Sequence, residues 1–245
     1  MLGVVAVLLA GVAYVWLTVP DVRPLLTTTP STTAFMTMRR DEAVATGQRT
    51  AISQRFVRYN RISPSLVRAV LVAEDAAFFS HDGIDYDELK ESIEVNFERG
   101  QFLRGASTIT QQLAKNLYLS PSRNPARKLR ELFITRRLEA ELSKTRILEL
   151  YLNLIEWGDG IWGAEAASLQ YFGISAGQLS AEQAALLAAA IINPRVYSPA
   201  RPNARLLRRQ KLILDRMERK TPPTEKLAEK PIEKPIEKIE KNPGG

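Results

Sequence analysis

Twelve consecutive residues, EDAAFFSHDGID (74–85), hold four carboxylates, two phenylalanines and the only histidine of the chain. Acids set against aromatic bulk have two uses. They can cap and tether a turn, or one of them can be kept half-dry for proton transfer. Ser63-Pro64 opens a helix expected to run to about Phe78. On it Val67, Leu71, Glu74 and Phe78 follow one i, i+4, i+7 stripe. Desolvation on such a stripe lifts a carboxyl pKa toward the range of a general acid or base. A buried Glu that only caps or pairs with an arginine is the plainer alternative, and the commoner one for a single residue.

A second carboxylate repeats the pattern. Asn124-Pro125 starts a helix expected to reach about Leu142, and Arg127, Glu131, Ile134, Leu138 and Leu142 share one of its stripes. Arg127 and Glu131 at i, i+4 could be only a helix-stabilising pair. Two acids on apolar lines also suit a two-carboxylate glycosyl-transfer site. The third element is GASTITQQLAKN (105–116), expected to enter a helix at Ser107. Thr108, Gln111, Gln112 and Lys115 then form a strip of hydroxyl, amide and ammonium donors suited to sugar hydroxyls and phosphate oxygens. The competing reading is an ordinary solvated face. Arg127, Lys128 and Arg130 add a basic cluster, which points to an anionic leaving group.

These residues must be positioned by helices. Asp85 with Glu88 three later opens one that runs to Gly100; Ser143 opens one to about Leu154; a short one ends before Gly173. Ser180 with Gln183 opens an Ala/Leu-rich helix closed by Asn193-Pro194, and Leu206 to Arg219 forms a basic last helix. No long alternating pattern appears, so the domain is expected to be mainly α. The 245 residues, 45% hydrophobic, suffice for one sizeable domain. The absence of cysteine excludes disulfides and thiolate metal sites, and a single histidine argues against a histidine-based zinc site.

Leu2 to Val19 carries no charge, is close to the length of a membrane span, and ends in Tyr14, Trp16 and Pro20. It is expected to be a retained anchor rather than a cleaved signal, because no small-residue cleavage site follows. Arg23, Arg39 and Arg40 lie after it and no Lys or Arg before it, so the positive-inside rule gives no support for an external domain. A basic leader upstream of this start would reconcile the two. The expected organisation is 1–20 anchor, 21–50 juxtamembrane linker, 51–220 catalytic domain and 221–245 disordered tail rich in Lys, Glu and Pro. The net charge of +7 suits anionic lipid or a phosphorylated substrate. No nucleic-acid-binding motif is present.

The blocks EDAAFFSHDGID, GASTITQQLAKN, RKLRE (127–131), KTRILELYLN (144–153) and IEWGDGIWGAEAASLQYFG (155–173) stand in an order that resembles the family 51 glycosyltransferases. That family polymerises peptidoglycan, and the monofunctional branch of Gram-negative bacteria is the most similar. The resemblance covers roughly residues 50–215 and no transpeptidase-like segment follows. It implies a lysozyme-like helical domain with a smaller membrane-proximal lobe, on a single-pass anchor in the bacterial inner membrane, facing the periplasm. It implies lipid II and the growing glycan strand as substrates. Other cell-wall synthesis or division proteins are candidate partners, and no nucleic acid is expected.

Carried over by position, Glu74 is the general base, and Glu131 stabilises developing charge or positions a metal or the donor. Lys115, Arg127 and Lys128 hold the pyrophosphate. Ser107, Thr108, Gln112 and Asn116 contact substrate or brace the cleft, and Asp75, Phe78 and His81 shape the site. The family is often assisted by a divalent cation, Mg or Mn, although no dedicated cage shows in the sequence. Two rivals are a lytic enzyme of the same fold and a non-enzymatic cell-wall scaffold.

Overall fold

The computed structural model describes residues 2–47, 52–100, 106–120 and 124–219. The tail expected to be disordered, Gly105 and Pro121 lie outside these residues.

The chain is mainly helical, as expected. In order it forms α1 (Leu2–Leu17), α2 (Ala34–Ala45), β1 (Ser53–Gln54), α3 (Pro64–Glu74), α4 (Tyr86–Arg99), α5 (Ile109–Tyr118) and α6 (Pro125–Glu141). Then follow α7 (Lys144–Leu154), β2 (Glu156–Gly158), β3 (Ile161–Trp162), α8 (Ala164–Phe172), α9 (Ala181–Ala190) and α10 (Ala204–Arg219). The punctuation read from sequence does the work locally. Asp85, Asn124, Ser143 and Ser180 each accept a backbone N–H of the first turn they precede, and Gly100 and Gly173 end their helices in the left-handed region.

Two helix boundaries near the site differ from expectation. α5 begins at Ile109, capped by Thr108 rather than Ser107, because only Thr108 has a glutamine three residues on to complete the reciprocal box with Gln111. α3 stops at Glu74 instead of reaching Phe78. Asp75 leaves the helix at φ −165°, ψ 81°, and Phe78 falls in a separate 3-10 turn, Phe78–Ser80. Phe78 is therefore buried beside the α3 stripe rather than on it.

α7 is buried nearly all round, through Ile147, Leu148, Leu150, Tyr151, Leu152 and Leu154, which marks it as the central helix. α5 packs between it and α6. On the other side α9, alanine-rich and so closely approachable, lies against both α3 and α10. α4 is largely exposed, with Tyr86, Leu89, Ile93 and Phe97 (88% exposed) on its surface.

Residues 21–50 are expected as a linker, and of these the structure describes 21–47. The described part carries a short 3-10 turn (Arg23–Leu26) and α2, and Val22, Leu25 and Met36 enter the main core. Thr33 caps α2 by accepting the N–H of Met36. A small sheet was also not expected. β3 is its middle strand, parallel to β1 (Ser53↔Ile161, Gln54↔Trp162) and antiparallel to β2. It buries Trp157 and Trp162.

Gly163 follows this sheet at φ +86°, and a Cβ there would stand 2.8 Å from the Asn153 carbonyl oxygen. Gly163→Ala is expected to destabilise the domain by about 1–3 kcal/mol, since both the positive φ and the backbone contact oppose a side chain. A urea midpoint lowered at unchanged m-value checks this.

α1 spans 16 residues, about 24 Å at 1.5 Å per residue. Among the described residues no helix is long and apolar enough to cross a membrane.

Candidate active site

Glu74 closes α3 with its side chain 12% exposed. Gln112 Nε2 donates to one of its oxygens at 2.9 Å, and Arg209 Nη2 on α10 reaches the other at 3.3 Å. Burial pushes the Glu74 carboxyl above its ordinary value, and the charge of Asp75 adds to this; Gln112 and Arg209 oppose it. Gln112 is itself oriented. The fully buried Tyr151 donates its phenolic hydrogen to Gln112 Oε1 at 3.0 Å, so the amide must turn its nitrogen to Glu74. Burial raises the Tyr151 pKa well above the usual phenol range, which keeps this donor protonated.

Asp75 has a different job. One oxygen accepts the backbone N–H of Ile109 at 3.0 Å, and the other meets His81 Nε2 at 3.0 Å. The Gly83 N–H points at His81 Nδ1, 3.1 Å away, so Nδ1 accepts and Nε2 carries the hydrogen given to Asp75. Asp75 thus ties the turn after α3 to the start of α5. Phe78 lies edge-on to both Phe79 and His81 and underneath the Lys144 ammonium, 4.4 Å from its ring centre. In this tether Thr108 donates to the Gly83 carbonyl at 2.8 Å. Thr108 and Gln111 are buried and spent on the helix cap, so the expected donor strip reduces to Gln112 and Lys115. Asn116 is buried and donates to the Gln112 carbonyl, bracing the helix from within.

Ser107, Gln112, Lys115, Arg127, Lys128 and Glu131 line a common cleft of ≈ 90 Å³. Glu131, 4% exposed, is held by Arg127 at 2.7 Å and Lys128 at 2.5 Å, one cation on each oxygen. Lys115 makes no ion pair among the described residues and lies 5.7 Å from the Phe35 ring centre. Burial lowers its pKa; Glu131 and Glu74 pull it back up, while Arg127 and Lys128 press it down further. Both carboxylates therefore act on the one ammonium. Arg130 of the basic cluster points elsewhere, to the Thr18 carbonyl.

Asp75, His81 and Asp85 offer ligand atoms within 4.8 Å of one another. Both Asp75 oxygens are already engaged, and Asp85 Oδ1 accepts the Glu88 N–H at 2.8 Å. Glu131 has a cation on each oxygen. In this structure these groups are committed to the backbone, to one another and to the two cations. A larger hollow of ≈ 340 Å³ beside His81 and Arg136 shares no lining residue with the cleft.

Arg209, Tyr151 and Phe35 are the site residues that the sequence reading did not single out. Only the basic character of α10 hinted at the first.

A family model described as Transglycosylase matches residues 41–218. The chain is 48% identical over 188 residues to the biosynthetic peptidoglycan transglycosylase of Nitrosospira multiformis, an alignment covering 77% of this chain and 82% of the relative. The figures for the protein of that name from Laribacter hongkongensis are the same, 48%, 77% and 82%. For that of Janthinobacterium sp. they are 47%, 77% and 81%.

Proposed function

The chain belongs to the transglycosylase family, and from that premise we infer that it is a peptidoglycan glycosyltransferase that extends β-1,4 glycan strands from lipid II with release of undecaprenyl pyrophosphate. The observation that carries the mechanism is the pairing of one half-dry carboxylate with a nearby cationic cleft. Glu74 is the general base. It takes the proton of the acceptor's 4-hydroxyl as that oxygen attacks the donor's anomeric carbon, and the bond from that carbon to the pyrophosphate oxygen breaks. A base raised toward neutrality suits this step, since it can hold the proton it removes. Lys115, Arg127 and Lys128 receive the negative charge that develops on the leaving group.

Gln112 fixes the carboxylate, Ser107 lines the α5 side of the cleft, and Asn116 braces α5 from within. Glu131 holds Arg127 and Lys128 in place.

The lytic alternative would use one acid to protonate a sugar leaving group and has no need of the cationic cleft that Lys115, Arg127 and Lys128 line. We assign α1 to the inner membrane and the helical domain to the periplasmic face, because a lipid-linked donor has to be met at the bilayer. The uncharged α1 and the exposed apolar residues of α4 support this reading.

The test is incubation of the full chain with lipid II, with and without a divalent-cation chelator. Growing glycan strands are expected in both. Solubilisation of finished wall without polymer would establish the lytic reading, binding without either product the scaffold. Complete loss of polymer under the chelator would show that the chain's own cations do not suffice.

A further inference from the structure

Just beyond α1, the carbonyls of the segment that leaves it pass to arginines far along the chain. Arg130 Nη2 donates to the Thr18 carbonyl at 2.7 Å, and Arg137 Nη1 to those of Val19 at 3.0 Å and Pro20 at 3.4 Å. Arg146 continues the series, giving Nε to the Leu25 carbonyl and Nη2 to that of Thr28, both at 2.8 Å. Val19, Val22 and Leu25 are buried between these contacts. Guanidinium groups at the end of a helix satisfy carbonyls that have no partner within it and complement its dipole. Arg130 and Arg137 lie seven residues apart on α6 and so on one of its faces. The same helix carries Arg127 and Lys128 in its first turn, about 3–4.5 Å along the axis from Arg130.

We propose that Arg130 and Arg137 are positioning residues that dock α1 rigidly on α6 and so set the height of the Arg127–Lys128 cations above the bilayer, where the diphosphate of a lipid-borne donor arrives. This rests on the reading of α1 as the anchor. A loosely tethered domain would sample many heights and tilts. A domain fixed to its anchor by one helix meets the headgroup layer at one. Arg130 and Arg137 touch no reacting group, so their effect should depend on whether the donor is held in a membrane.

The experiment uses the full chain with Arg130→Met and Arg137→Met, singly and together. Methionine keeps the apolar stem and removes the donors. Polymerisation is measured on a long-chain donor in phospholipid vesicles and on a short-chain, water-soluble donor. The expected result is a loss of about tenfold or more on the vesicle donor with the soluble donor used normally, a penalty typical of small misplacement. Equal loss on both donors, which a purely structural role would give, overturns the proposal, as does no loss on either. If the double variant fails to fold, the single variants carry the same comparison.

Flotation of the unmodified chain with vesicles is the control. A chain that stays in solution but polymerises the soluble donor removes the anchor reading, and this inference with it, while leaving glycosyl transfer intact. Absence of cysteine allows a single label at the exposed Glu141 through Glu141→Cys. Its energy transfer to a labelled lipid should be narrow in the unmodified clamp and broad in the double variant.

Discussion

Glu74→Gln is expected to abolish strand growth while the helical domain stays folded. Glutamine keeps the shape and can still accept from Gln112, but it cannot take a proton. Loss of a positioned base costs about two to four orders of magnitude in rate. The pH dependence follows from the raised carboxyl. Activity requires the ionised form, so the acid limb of the rate profile should lie above the ordinary carboxylate range, and its cause is burial. The stability effect has the opposite sense to the catalytic one. A carboxyl with a raised pKa in the folded state contributes stability that is fully present below its unfolded pKa and lost as pH rises through the folded value. Ionised Glu74 therefore weakens the fold at neutral pH, and Glu74→Gln should melt at or above the parent temperature there, with the difference vanishing in acid. Initial rates of polymer formation and melting at two pH values measure both. A variant that polymerises within a few-fold of the parent would remove Glu74 from the role of base.

Lys115→Met should cost nearly as much, through the donor. Removing one preorganised partner of a developing charge typically costs about 10²–10³ in turnover. Here the ammonium has no carboxylate of its own among the described residues and is partly desolvated. A lysine with a lowered pKa in the folded state destabilises the fold while it is charged, at pH below that lowered value, and the penalty fades as pH rises through it. Methionine removes the penalty, so the variant should be slightly more stable than the parent in plain buffer. An arriving anion reverses the order. Inorganic pyrophosphate at a hundred times its dissociation constant should stabilise the parent by about 2.7 kcal/mol. That is roughly 5–10 °C of melting temperature for a chain of this size, and the shift should be largely absent in Lys115→Met. Equal shifts in the two proteins would place the diphosphate elsewhere.

Much of the framework that presents these groups was legible as local chemistry. Caps such as Asp85, Asn124 and Ser180 act within three residues, so their partners sit beside them in the sequence. The burial of Glu131 with Ile134 and Leu138 was written in helical spacing. The stripe of Val67, Leu71 and Glu74 falls within α3, but it could not show that Asp75 would break the helix before Phe78, since the partners of Asp75 are Ile109 and His81. Arg209 and Tyr151 reach the site from 135 and 39 residues away from the groups they bond, and no periodicity encodes such meetings. The sheet escaped because strands of two or three residues are too short to alternate. α2 was masked by the threonines and proline that precede it; its burial depends on tertiary packing of Met36 and Ala43.

The grip of Arg127 and Lys128 on Glu131 bears on how the catalyst lets go. On the proposed reading, an internal anion already neutralises the two cations that would receive the diphosphate, and holds them in place before the donor arrives. A spent carrier must compete with that resident carboxylate for as long as it stays. Departure therefore leaves no stranded charge behind, because the cations fall back on the group that held them at the outset. A site of this kind gives up some tightness of binding for quick clearance, which is what an enzyme repeating the same addition along a strand requires.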